Sequence, residues 1–424
     1  MYRTILRAIQ SCGAENYLIR KTQTESAELY FIRKELDMRR MKDITVYEVT
    51  VYRDSEVEGK KMRGFADAFI YPQMDEETVN KAITDAYYAA TFAANPFFEL
   101  PAGKKEEPVT MPGRLAGMSV TEAAEAFAEA LFSVDNHPRA WINTAEFFVN
   151  RITTSIWNSA GIEVSYTRCE ANGEFIVQTG EPQDVEQYQD FAYNDLDTES
   201  LKTQAREALE TVVARAQATT APAKGTYDVI LSGKELRQLL SFYTERSNAA
   251  YIYPGYSNYR KGMKVQGEAV RGEKLNLTLK ATVPYAYEGI PLSDRELIRD
   301  GELLDIYGNV RFSYYLGIKP TGNYEGMQVK NGTASMAQLK AKPYLHVVSF
   351  SGFDMDVFSG HFGGEIRLAY LFDGEKVTPV TGGSVNGSLL ELQDNMIFSK
   401  ETYKDSRYEG PLAVKFTGVP VAGV

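Results

Sequence analysis

Ala218-Thr219-Thr220-Ala221-Pro222-Ala223-Lys224-Gly225 divides the chain into halves of unlike composition. Small side chains bury little and the proline cannot continue a helix, so residues 218–225 read as a linker. Just before them, Thr198 to Gln217 reads as a connecting helix. Just after them, Tyr227-Asp228-Val229-Ile230-Leu231 reads as a strand and Gly233 to Arg246 as a helix. The expected organisation is an N-terminal domain over 1–217, the linker, and a C-terminal domain over 226–424.

Working back from the linker, the N-terminal domain mixes helical and strand periods. Tyr2, Ile5, Leu6 and Ile9 share one helical face, and Cys12-Gly13 ends it. From Asn16 to Tyr71 the period shortens toward two. Val46, Glu48, Thr50 and Tyr52 alternate with Tyr47, Val49 and Val51, the pattern of an antiparallel sheet with one wet face. Asp75, followed by Glu76 and Glu77, starts a helix with acids where the helix dipole favours them. Ser119 with Glu122 makes a capping box for another. Residues 101–114 read as a loop, and strands resume from Thr144 to Val177 around the turn Asn158-Ser159-Ala160-Gly161.

Beyond the linker Gly, Tyr, Val and turn dipeptides dominate. Helix is confined to 233–246 and a short piece near Ser335 to Leu339. The C-terminal domain is therefore expected to be mostly antiparallel β, as packed sheets or a barrel-like body with one main helix, and the fold class to be α+β.

The chain has 424 residues, 44% hydrophobic and 24% charged, with a formal net charge of -11. Such a length exceeds one comfortable core and supports two domains. The acidic balance argues against a nucleic-acid partner, because phosphate contacts need clustered Lys and Arg. Arg33 to Lys42 mixes basic residues with acids and apolar ones and reads as a solvated strand-and-turn surface. No apolar run approaches the roughly 20 residues of a membrane span, which argues against a membrane partner. Cys12 and Cys169 are too few for a disulfide framework. The expectation is a soluble, unexported, cytoplasmic protein.

Several strings stand in one order along both halves. They are Asn158-Ser159-Ala160-Gly161, Tyr287-Glu288-Gly289-Ile290-Pro291, Leu297-Ile298-Arg299-Asp300-Gly301-Glu302-Leu303, Thr321-Gly322-Asn323, Phe358-Ser359-Gly360, Gly387-Ser388-Leu389-Leu390-Glu391 and Gly418-Val419-Pro420-Val421-Ala422-Gly423. Together they resemble the TldD/PmbA family, a peptide-processing protease system formerly described as modulators of DNA gyrase. The resemblance implies a curved antiparallel sheet backed by helices in the N-terminal domain, and antiparallel sheets carrying one key helix in the C-terminal domain. It further implies two kinds of chain, catalytic TldD-type and non-catalytic PmbA/TldE-type, paired around a peptide-sized cavity. The catalytic kind holds zinc through a His-Glu-x-x-x-His helix and a later Cys.

A metalloprotease needs ligands that fix zinc with an open position, and a carboxylate to take a proton from the bound water. Here Leu239-Leu240 matches the two leucines before the family's first His. Ser241 then falls at the first ligand, Phe242 at the base and Arg246 at the second ligand. Ser is a poor zinc ligand, Phe accepts no proton, and Arg brings a permanent positive charge. His137, His346 and His361 are the only histidines, no two share a helix turn, and no Cys follows residue 169. The resemblance is therefore to the PmbA/TldE branch, with no catalytic residue, metal or cofactor assigned to this chain.

Tyr251, Tyr253, Tyr256 and Tyr259 follow the altered helix, with Pro254-Gly255 between them. Such rings are either core and turn filler or the lining of a peptide or partner groove. His361, in Gly360-His361-Phe362-Gly363-Gly364, is the most site-like histidine and joins that candidate groove, although a loop hydrogen bond would also account for it. Asp294, Glu296, Asp300, Glu302 and Asp305 alternate with Leu297, Ile298, Leu303 and Leu304 and read as an exposed face. Gly363-Gly364 and Gly382-Gly383 lack the Lys-Ser/Thr of a phosphate loop.

Two functional readings follow. One is a non-catalytic subunit that pairs with a TldD-like metalloprotease and holds an extended peptide by strand addition. The other is a free-standing homodimeric peptide-binding or regulatory protein. A hydrolase with a new active site would need a nucleophile-base pair, and none is visible in the sequence.

Overall fold

The computed structural model describes residues 1–423. Its N-terminal half is built on one eight-stranded sheet. The strands are Asn16–Ile32 (β1), Glu35–Val57 (β2), Lys60–Ile70 (β3), Asn95–Pro96 (β4), Val109–Thr110 (β5), Trp141–Asn158 (β6), Glu163–Thr179 (β7) and Val185–Tyr193 (β8). They run in the order β4-β3-β2-β1-β6-β7, with β5 and β8 both on β7. All pairings but β5 with β7 are antiparallel.

Two helix pairs cover one face. Tyr2–Ser11 (α1) and Glu76–Ala89 (α2) bury Ile5, Ile9, Val79 and Ile83 against Ile19, Val49 and Val51. Val120–Ser133 (α3) and Thr198–Gln217 (α4) bury Phe127, Leu131, Leu201 and Leu209 against Leu29, Phe147, Phe175 and Val177. The helix starts are where the side chains dictate. Asp75 accepts from the Thr78 N–H at 2.8 Å, and Ser119 and Glu122 close their reciprocal cap.

The opposite face departs from expectation. The alternation implies one wet face, yet Thr50 and Tyr52 are buried as well as Tyr47, Val49 and Val51. The physical reason is a second body. Leu18, Tyr52, Ile156, Val164 and Tyr166 form one apolar cluster with Val283, Tyr285, Ile290, Val310 and Tyr315 from beyond the linker. Periodicity records which side chains share a face and is silent on what covers it.

The C-terminal half contains a six-stranded and a seven-stranded sheet. Gly225–Ser232 (β9) lies centrally in the larger one, parallel to Tyr344–Met355 and antiparallel to Ala413–Ala422. The only other parallel pairing in these two sheets joins Gly326–Val329 to Tyr408–Pro411. Lys234–Arg246 (α5) follows β9 directly and buries Leu236, Leu239, Leu240 and Tyr243 in the core of this half. Short helical pieces stand at Ala249–Ile252, Val310–Tyr315, Met336–Leu339 and Leu389–Leu392, of which only Met336–Leu339 is legible in the sequence. The fold is α+β. In the acidic stretch 294–305, Leu297, Ile298 and Leu303 are buried, while Asp294 pairs with Lys280, Glu296 with Arg299 and Asp305 with Lys261 and Arg295. Among the described residues no helix is long and apolar enough to cross a membrane.

Candidate functional site

Gly233, at φ +71°, makes the turn from β9 into α5, in a backbone region that disfavours side chains. The apolar spacing Leu236, Leu239, Leu240, Tyr243 then turns one face of α5 inward. Phe242 lies beside that face and is fully buried. A Cβ added to Gly360 would come within 3.4 Å of the Phe242 ring and 3.0 Å of Leu390, so the turn at Gly360 closes tightly over it. Ser241 donates to the Gln238 carbonyl at 2.7 Å, within its own helix.

Arg246, one turn on from Phe242, holds its guanidinium 5.1 Å from the Phe242 ring centre and 5.0 Å from that of Tyr259. It donates to the carbonyls of Val357 at 3.3 Å and Phe358 at 3.1 Å, and to Asn258 at 3.1 Å. The arginine thus ties the end of α5 to the turn 356–360. In that turn Ser359 donates to Asp356 at 2.5 Å and lies 3.0 Å from Nδ1 of His361. The hydroxyl of Ser359, and then the N–H of Phe358, hold the Asp356 carboxyl below its usual range.

The four tyrosines part company. Tyr251 and Tyr256 pack on exposed Phe358, with ring centres 5.8 and 5.6 Å away. Tyr253 turns to Tyr315 at 4.8 Å and Phe312 at 6.1 Å, a separate cluster. Tyr259 is only 4% exposed and belongs to the core, so its assignment to the groove is corrected: the ring closes the apolar shell under Arg246. The structure brings together Phe242, Arg246, Tyr251, Tyr256 and, through one turn, His361. Sequence reasoning passed over Phe358 as a site residue, although Phe358-Ser359-Gly360 is a bulky residue in a turn string.

A second feature was not visible in the sequence at all. Between the two halves runs a cleft of about 2520 Å³. Its walls include Arg20 and Tyr188 of the N-terminal sheet, Glu207 of α4, Lys234 and Glu235 at the start of α5, and Tyr287. Phe242, Arg246, Tyr251, Tyr256 and His361 do not line it; α5 reaches the cleft with its first turns and the aromatic patch with its last. Lys234 bridges the halves to Asp190 at 2.6 Å. Burial raises the carboxyls of Glu207 and Glu235 above their usual range. His346, 7% exposed, sits 3.1 Å from Ser232 on this wall. Burial first, and the charge of Lys340 second, bring its pKa down to about 3. So weak a base is ill matched to activating Ser232 at neutral pH.

Residues 224–423 match the PmbA/TldA metallopeptidase C-terminal domain. The match begins at the end of the linker and covers the C-terminal half. No curated protein matches the chain in sequence. Among solved structures, TldE of Thermococcus kodakarensis superposes with a TM-score of 0.79 at 16% identity, covering 99% of this chain and 100% of that one. A Thermotoga maritima protein whose name refers to modulation of a DNA gyrase gives 0.77 at 16% identity, over 99% of this chain and 100% of that one. One from Bacteroides thetaiotaomicron, named in the same way, gives 0.76 at 16%, over 100% of this chain and 99% of that one. At such identity the likeness shows the fold, and it spans both halves.

The zinc that the PmbA/TldD resemblance implies for catalytic chains does not fit this one. At the two ligand positions stand a hydroxyl bonded within its helix and a guanidinium already bonded to two carbonyls, and the base position holds a buried phenyl ring. Among the described residues no three His, Cys, Asp or Glu side chains are placed to share a metal ion.

Proposed function

We propose that this chain is a non-catalytic, PmbA/TldE-like subunit of a TldD-type zinc metalloprotease complex acting on unfolded or leader peptides in the cytoplasm. The observation that carries the reading is Arg246. Its fixed positive charge repels a divalent cation where the second ligand would stand, and its hydrogen bonds give it a different task, holding the turn that presents Phe358. Tyr251, Tyr256 and Phe358 supply aromatic anchors for the partner chain. The cleft supports a peptide substrate, since about 2520 Å³ exceeds the roughly 300–1,000 Å³ typical of small-molecule sites. Its mixed walls, with Arg20 and Lys234 beside Glu207 and Glu235, suit a backbone of varied sequence better than one fixed ligand.

The test is co-expression with a family member from the same genome that retains the His-Glu-x-x-x-His helix. Size exclusion and cleavage of an unstructured peptide then read the result. A mixed complex whose cleavage needs both chains is expected. Two separate peaks, with the metal-bearing chain fully active alone, would overturn the proposal.

A further inference from the structure

β2 is far longer than its outer neighbour. β1 pairs with it over residues 35–52, but β3 covers its other edge only from Tyr47 to Val57. Along 35–46 the outer row of N–H and C=O groups meets no other group among the described residues. Leu36, Met38, Met41 and Ile44 along this strand are each between 43% and 52% exposed. A long, bare, partly apolar edge is a template for another strand.

We propose that this edge pairs antiparallel with the same edge of a second copy of the chain, about a two-fold axis at Met41. The charge pattern selects the occupant and the register. A two-fold axis normal to a continuous sheet keeps each side chain on its own face, so the centre must fall on a residue. Centring on Arg39, Arg40 or Lys42 sets a cation against itself, and centring on Met38 leaves 42–46 bare. Centring on Met41 sets Met38 against Ile44 and Arg39, which also pairs with Glu125 of its own chain, against Asp43; a bulge at Asp37, where β1 pairs Tyr30 with Met38 and Phe31 with Leu36, ends the regular register there. The one like-charged pair, Arg40 with Lys42, is offset by the nearly buried Glu28, which binds both within each copy. The free edge of β2 runs out at Val46, because β3 takes over at Tyr47. The proposal does not depend on a metalloprotease partner, because the edge is distinct from the patch at Phe358.

The experiment combines light scattering on the full-length chain with oxidative cross-linking in a background where Cys12 and Cys169 are replaced by serine. Opposed Cβ atoms on adjacent strands approach within reach of a disulfide. Wild type should be a dimer at tens of micromolar. Met41→Cys should cross-link to itself, Met38→Cys only when mixed with Ile44→Cys. Met41→Lys should weaken association at least tenfold while its circular dichroism and thermal melting stay those of wild type. A monomeric wild type would overturn the proposal. So would a dimer that survives Met41→Lys and gives no disulfide between two copies of Met41→Cys.

Discussion

The guanidinium of Arg246 lies 5.1 Å from the centre of the Phe242 ring, and the two side chains complete opposite halves of one structure: the ring is sealed beneath the turn at Gly360 and the cation holds that turn by its carbonyls. The positions that the resemblance assigns to a zinc ligand and its base are therefore packing and anchoring positions here. Changing them back meets a stability cost before it meets a chemical one.

The purified chain should accordingly bind no stoichiometric zinc and cleave no peptide by itself. The triple variant Ser241→His, Phe242→Glu, Arg246→His should remain close to inactive, since groups that orient ligands are also required. Phe242→Glu alone buries a carboxylate where a phenyl ring filled the core and should cost about 4 kcal/mol or more, against about 1 kcal/mol for Phe242→Leu. Elemental analysis and urea denaturation measure both. A full equivalent of zinc, lost together with activity on chelation, would refute the first expectation, and equal stability of the two single variants the second.

Arg246→Lys should fail to replace arginine, because a single ammonium cannot reach the Val357 and Phe358 carbonyls and Asn258 at once. With the side chain partly exposed, the loss should be modest, about 1–2 kcal/mol. Hydrogen exchange should rise locally in 356–360, and association with the metalloprotease chain should weaken. Unchanged exchange in that turn would show that Arg246 is not what holds it.

The aromatic patch yields a ranked set. Tyr256→Ala and Phe358→Ala, in exposed rings packed on each other, should each weaken the complex by on the order of 2 kcal/mol with little effect on folding. Tyr253→Ala should do less, since that ring packs on Tyr315. Tyr259→Ala should instead destabilise the fold by about 3–5 kcal/mol, as truncation of a buried aromatic does. Asp300→Ala, on the charged face, should be silent in both. Calorimetric titration of the partner beside thermal melts separates the two effects, and a binding loss for Asp300→Ala equal to that for Tyr256→Ala would dissolve the ranking.

What the sequence disclosed and withheld follows a physical line. Caps are local chemistry, so Asp75 and the Ser119–Glu122 pair mark their helices within a residue, and α4 and α5 follow from spacing alone. Ser241, Phe242 and Arg246 could be read together because they lie on a single helix. The burial of Tyr52 and Tyr259 could not be read locally, because the first packs with Val310 and Tyr315, more than two hundred positions away, and the second joins a core cluster that includes Phe362, more than a hundred positions away. The cleft belongs to neither half, so no window of either could contain its signal.

His346 offers a test that depends on its surroundings. Burial, then the charge of Lys340, lower its pKa from 6.5 to about 3. The native state therefore holds a neutral imidazole, while the unfolded chain takes up a proton as pH falls through 6.5. A depressed folded pKa means the stabilisation is complete above the unfolded value and is lost as pH drops from there toward the folded one. Between about pH 7 and about pH 5, where most carboxylates stay ionised, this single group should remove about 2 kcal/mol of stability. His346→Asn keeps a polar side chain near Ser232 but removes the titration, so its urea midpoint should vary less with pH over the same window. Parallel pH profiles for wild type and His346→Asn would mean that His346 is protonated in the folded protein, and that its place on the cleft wall is far wetter than its 7% exposure implies.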